Sequence, residues 1–203
     1  MAQHNTEVRR SWLSFFRSEI VLGTMVALLS VLTAAAAYQG SISDSKESDA
    51  NVEAQKILSL SNTEFLRANQ DIIQDYTMYD GYYINFEKDA DLTEYYKDSF
   101  SDSLITSMDR TDGPFDDQYY TEMYKDADES YEEAMNKFDE AQSAGDKADR
   151  YQLTLMIFAV GLALSAWASI VNEASKLRPA FAIISIATSI FGVILFVQLL
   201  ATA

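Results

Sequence analysis

Three uninterrupted apolar runs set the first limit on what this chain can fold into. They are Ile20 to Tyr38 (IVLGTMVALLSVLTAAAAY), Tyr151 to Val171 (YQLTLMIFAVGLALSAWASIV) and Pro179 to Ala203 (PAFAIISIATSIFGVILFVQLLATA). None contains Asp, Glu, Lys, Arg or His. A hydrocarbon core of about 30 Å takes roughly 20 apolar residues in a helix, so each run is long enough to cross. The alternative, three buried core helices of a water-soluble domain, fits this length and purity poorly. The pattern predicts three transmembrane helices.

Charge next to the runs predicts their direction. Arg9, Arg10 and Arg17 precede the first run, and Lys176 and Arg178 lie in the short connection between the second and third. Lys and Arg flanking spans mark the cytoplasmic side. Residues 41–150 are the opposite, with 10 Lys and Arg against 28 Asp and Glu, a net of −18 in a chain whose total is −16. The expected layout is a cytoplasmic tail over 1–19, a span over 20–38, an acidic helical extracytoplasmic domain over 39–150, a span over 151–171, a cytoplasmic loop over 172–178 and a span over 179–203. The chain would be a multi-pass protein of the cytoplasmic (inner) membrane, with the bilayer as its first partner. A cleaved export signal competes for the N-terminus, because Arg9-Arg10 loosely resembles a twin-arginine pattern and Ala35-Ala36-Ala37 a cleavage site. A signal core of about 7–15 apolar residues is shorter than this first run, so an uncleaved anchor is expected.

The acidic segment has few helix breakers: Gly81, Gly113, Pro114 and Gly145. Ala54, Leu58, Ser61, Phe65, Ala68, Ile72, Asp75, Tyr79, Tyr82 and Phe86 are spaced alternately four and three, with Asp75 a polar slip. Tyr120, Tyr124, Ala127, Tyr131, Ala134, Phe138 and Ala141 repeat that spacing. A 3.5-residue period gives each helix one apolar stripe and demands a partner helix. The fold expected is all-α, with an antiparallel, coiled-coil-like hairpin continuous with the membrane helices. Phe65, Ile72, Tyr131 and Phe138 should fill the seam. Asp44 with Glu47 suggests a capping box opening the first hairpin helix, residues 91–107 a shorter helix, and Ala144-Gly145-Asp146 a separation or kink before the second span. Among the paired tyrosines, those on the stripes (Tyr82, Tyr120) should be core and their neighbours surface.

Chemistry is sparse. The chain has one His (His4) and no Cys, which removes thiolate nucleophiles, Cys-ligated zinc and any Ser-His-Asp triad away from the N-terminus. The acidic balance argues against a nucleic-acid partner. Asp126-Ala-Asp128-Glu-Ser130-Tyr131 starts like a calcium loop but puts Tyr131 where Gly is needed and Lys137 where the bidentate Glu belongs. Asp109, Asp112, Asp116 and Asp117 surround the Gly113-Pro114 turn and are weak cation candidates, with a solvated acidic surface the plainer reading. No phosphate-binding or nucleophile-elbow motif occurs. No catalytic residue, cofactor or metal is expected, and the chain reads as a non-enzyme.

Within the spans, small residues recur at four-residue spacing: Gly23/Ala27, Ser30/Ala34, Gly161/Ser165/Ser169, Ser185/Ser189 and Thr188/Gly192. Such faces let backbones approach where lipid gives no hydrophobic drive. They are expected to pack helices in an assembly, particularly through Gly161/Ser165 and Ser185/Ser189.

Glu19, the segment Leu29-Ser30-Val31-Leu32-Thr33-Ala34-Ala35-Ala36-Ala37-Tyr38-Gln39 and Arg150-Tyr151 together resemble an uncharacterised family of prokaryotic three-span membrane proteins. Its members carry one span, a long helical extracytoplasmic segment and a C-terminal pair of spans, and often continue from Tyr-Gln into Trp-Ser-Gly, where this chain has Gly40-Ser41-Ile42. The resemblance implies the layout and brings no catalytic residue or cofactor. The leading expectation is an accessory membrane subunit that joins copies of itself or a larger complex. The rivals are a passive cation conduit with an acidic vestibule and an extracytoplasmic sensor dependent on a cytoplasmic partner.

Overall fold

The computed structural model describes residues 18–172 and 175–201. Arg9, Arg10 and Arg17, with the twin-arginine pattern, lie outside them. The described residues form five helices and no strand: α1 (Glu19–Asn85), α2 (Ala90–Lys97), α3 (Asp102–Met108), α4 (Asp117–Ile170) and α5 (Leu177–Ala201). α1, α4 and α5 are each long and apolar enough to cross a membrane. The chain divides into two compact units, one of Met1–Ser48 with Ala141–Ala203 and one of Asp49–Glu140.

α1 has 67 residues and α4 has 54, so both belong to both units. The Asp44/Glu47 pair opens no helix, because Ile20 to Ser43 is already helical. A strong breaker would be needed to interrupt it, and a lone Gly40 costs only about 1 kcal/mol in a helix. Ala144-Gly145-Asp146 likewise lies inside α4. A Cβ at Gly145 would come within 2.8 Å of the Glu47 carboxyl carbon, so glycine here admits a neighbouring side chain.

In the unit of Asp49–Glu140, α1 and α4 run antiparallel. Ser61 donates to the Ala127 carbonyl at 2.8 Å, Tyr124 to Asn69 at 2.9 Å and Ser130 to Glu64 at 2.6 Å, while Lys137 pairs with Glu53 at 3.4 Å. The buried column is small residues seven apart: Ala54, Ser61, Ala68 and Asp75 on α1, Ala127 and Ala134 on α4. This corrects the expected filling of the seam. Ile72 is buried and Phe138 half-buried, but Phe65 and Tyr131 are 48% and 51% exposed. With Ala and Ser at the contact the backbones approach too closely to admit rings, which turn outward along the edges. Phe65 there stacks on Tyr124 with centroids 5.1 Å apart.

Beyond Asn85 the chain folds back through two short helices rather than the single helix expected over 91–107. Asp89 caps α2 by accepting from the Leu92 amide, and Ser101 caps α3 by accepting from that of Leu104, both at 3.1 Å. The break lets Phe100 turn inward to join Ile72, Leu104 and Tyr119 in a core. The turn before α4 holds Gly113 at φ 92° and Phe115 at φ 73°. A non-glycine residue there is strained by about 1–3 kcal/mol. The Phe115 ring offsets the strain by stacking on Tyr76 at 4.1 Å and meeting Tyr79 and Tyr119 edge-on.

In the other unit α1, α4 and α5 pack side by side. Leu29, Ala36 and Phe158 form one buried cluster; Leu22, Ala168 and Ala182 form another. Pro179 lies in the first turn of α5, where a missing amide hydrogen costs no helical bond.

Candidate functional site

The polar slip in the seam becomes the most connected buried group of the hairpin. Asp75 is 2% exposed. Its carboxylate accepts from the Ser101 amide at 2.9 Å, the Ser101 hydroxyl at 2.5 Å and the Tyr119 hydroxyl at 2.8 Å. One side chain thereby ties α1 to the first turn of α4 and to the start of α3. No Lys or Arg among the described residues forms an ion pair with it, so these donors take the place of water. Burial, and then the Asp75 carboxylate, push the Tyr119 phenol well above its ordinary 10.0. Next to it the Tyr76 and Tyr120 hydroxyls hydrogen-bond each other, and this bond, with burial second, pushes Tyr120 up to about 12. Tyr119 is fully buried and Tyr120 half-buried, the reverse of the assignment made from the stripe. At the start of α4 the short helices close over position 119, a contact that helical period alone cannot register. An Asp on a stripe of Ala and Ser was the signal available in the sequence.

The acidic turn is spent on structure. Asp116 accepts from the Tyr119 amide at 2.7 Å and pairs with Arg110 at 2.8 Å, while Arg110 also holds Glu122 at 2.7 Å. Asp109, Asp112 and Asp117 remain exposed. The four carboxylates are not gathered, and no group of three or more metal-ligating side chains occurs among the described residues.

The small residues of the spans separate into two sets. Gly161, Ser165, Ser185, Ser189 and Gly192 meet one another or their neighbours within one chain. Ser185 donates to the Gly161 carbonyl at 2.6 Å and lies 2.7 Å from the Ser165 hydroxyl. A Cβ at Gly161 would stand 3.3 Å from the Ser189 hydroxyl, and one at Gly192 would come within 2.7 Å of the Phe158 ring. These positions join α4 to α5, so they serve the fold of a single chain. Gly23 and Ala27 are exposed, and nothing approaches a Cβ at Gly23 within 4 Å.

The class defined is an all-helical protein with three helices able to cross a membrane and a helical hairpin centred on a buried carboxylate. No protein-family model matches the chain, nor does any curated protein or solved structure.

Proposed function

We propose that the chain is a non-enzymatic membrane subunit. Its tail would be cytoplasmic, its acidic hairpin extracytoplasmic, and it would assemble with copies of itself or with a larger membrane complex. The observation that carries this reading is an apolar stripe on the outer side of α1. Val52, Leu66 and Ile73 are spaced in multiples of seven and are 48%, 61% and 65% exposed. Two residues ahead of the buried column, they fall roughly 160° around the helix from it. In a segment of net charge −18, Leu66 and Ile73 one heptad apart, with Val52 two heptads earlier beyond Ser59, give α1 an outward apolar edge on which a partner helix can pack. The exposed Gly23/Ala27 face gives a second place where a helix can approach closely.

A conduit gains less support. The uncharged hydroxyls that could line a pore include Thr24, Ser30 and Thr188, and their bonds to carbonyls of their own helices at 2.7–2.8 Å account for these residues in apolar spans without one.

Native mass measurement of the detergent-extracted protein tests the reading. Leu66→Lys combined with Ile73→Lys should shift the complex to a smaller species, whereas Gln142→Lys, exposed on α4 away from that stripe, should not. Gly23→Leu should act in the same direction as the pair, because a larger side chain at that open position leaves the chain's own packing intact. A wild type that is monomeric in every mild detergent would sink the subunit reading, and ion passage in bilayer recordings would transfer it to the conduit.

A further inference from the structure

At the Arg150 end of the α4–α5 pair the helices leave an open groove of 610 Å³, lined by Arg150, Leu153, Thr154, Leu195, Gln198 and Leu199 along with Ala201. All belong to the same unit. The volume lies within the range of small-molecule pockets, about 300–1,000 Å³. Its walls are aliphatic, with Leu153 55% exposed. Outside its lining, α4 and α5 are held together by rings, Tyr151 meeting Phe196 with centroids 6.0 Å apart and Phe196 meeting Phe158 at 6.3 Å.

Charge is asymmetric around it. Arg150 is the residue immediately before the second apolar run and, among the described residues, the only cation lining the groove. Asp146 and Asp149 stand one turn and one residue earlier, yet among the described residues neither comes within ion-pair distance of the Arg150 guanidinium. The Thr154 hydroxyl donates to the Arg150 carbonyl at 2.9 Å, which takes that hydroxyl out of ligand binding and leaves the guanidinium as the groove's principal charged donor.

We infer that this groove holds one phospholipid, its phosphate on Arg150 and an acyl chain along Leu153, Leu195 and Leu199. The chemistry is complementary at both ends. A guanidinium matches two phosphate oxygens with parallel N–H bonds, and an aliphatic channel beginning one turn away matches a hydrocarbon chain. A free anion would use only the first of these features, and a packed helix would leave the guanidinium facing apolar side chains. The site rests on the spans being in a bilayer but is independent of the subunit reading.

The test is lipid retention by the full chain in mild detergent, read by native mass spectrometry, with phosphatidylglycerol as probe. Wild type should keep one molecule, and Arg150→Gln should lower its occupancy about tenfold or more, the scale of a lost charge-assisted hydrogen bond. Lys147→Gln, which removes a cation one turn away outside the groove, should leave retention unchanged. Thermal unfolding of the variants run in parallel keeps a folding defect from passing as lost binding, and Leu153→Glu offers a second route by placing negative charge in the acyl path. Equal retention of diacylglycerol, displacement by millimolar inorganic phosphate, or an Arg150→Gln protein that holds the lipid as wild type does would each overturn the assignment.

Discussion

The hairpin and the three-helix unit both bring helices together on small residues, yet they handle buried polar groups in different ways. In the hairpin, Ala54, Ser61, Ala68, Ala127 and Ala134 form the contact, and the interior includes the carboxylate of Asp75. In the three-helix unit the α4–α5 contact is made by Gly161, Ser165 and Ser185, whose hydroxyls bond each other and a backbone carbonyl, while the charge this unit buries, Arg178, stands apart from that contact in the first turn of α5. Surroundings account for the difference. Beside water, burial of Ala already contributes to association, and a carboxylate is accommodated when protein donors surround it. Between apolar spans association relies on close packing and hydrogen bonding. At the middle of the α4–α5 contact hydroxyls supply the second without the cost of a buried charge, which this unit admits at a helix end, at Arg178.

The largest effect should come from removing the hairpin's carboxylate. Asp75→Ala leaves the Ser101 amide, the Ser101 hydroxyl and the Tyr119 hydroxyl without their acceptor. Each buried donor so orphaned costs about 1–3 kcal/mol. We expect a loss of about 3 kcal/mol or more in thermal unfolding, with α2 and α3 losing amide protection before α5 does. Uniform loss of protection would mean that the node does not hold the tip separately.

Tyr119 gives the same comparison a pH axis. Its folded pKa is raised, so its contribution is complete below the ordinary value of 10.0 and declines as pH rises above it, because the unfolded chain releases the proton first. Hairpin stability should therefore fall above pH 10. Tyr119→Phe should cost about 2 kcal/mol at neutral pH, the scale of a hydrogen bond to a charged group. It should also flatten the alkaline decline without abolishing it, since Tyr120 remains. Denaturant titrations from pH 8 to 11 measure both, and an unchanged slope would show that Tyr119 does not carry the dependence.

How much of this was legible follows from what a period can encode. The apolar runs at 20–38, 151–171 and 179–203 and the stripes at 54–86 and 120–141 were visible because hydropathy repeats along a helix. Which residues of a stripe touch was not. Alternating four-and-three spacing marks Ser61 and Phe65 alike as members of one face, and the separation of the backbones decides which of the two is enclosed. The short connections were hidden for another reason. Phe100 and Ser101 break 91–107 in two because of partners at Ile72 and Asp75, well away in sequence. Small-residue spacing identified Gly161 and Ser185 as packing positions, but spacing carries no information on whether the opposing helix belongs to the same chain.

The finest division between the units concerns two serines with the same geometry. Ser61 donates to the Ala127 carbonyl at 2.8 Å, and Ser185 donates to the Gly161 carbonyl at 2.6 Å. Both carbonyls lie within α4, so each keeps its helical partner when the hydroxyl is removed. Neither alanine variant creates an orphaned acceptor, and each should lose only the net value of one bond. In water that value is about 1 kcal/mol. Between apolar spans the corresponding average is about 0.6 kcal/mol, because the separated helices find other partners for the hydroxyl. Ser185 also lies 2.7 Å from the Ser165 hydroxyl, a second bond that Ser165 can replace by turning to a carbonyl of its own helix. Ser61→Ala should therefore cost as much as Ser185→Ala or slightly more, each near or below 1 kcal/mol by thermal unfolding in one detergent. A Ser185→Ala loss above about 2 kcal/mol would reverse the order and make the Gly161–Ser185 bond a main determinant of the three-helix unit.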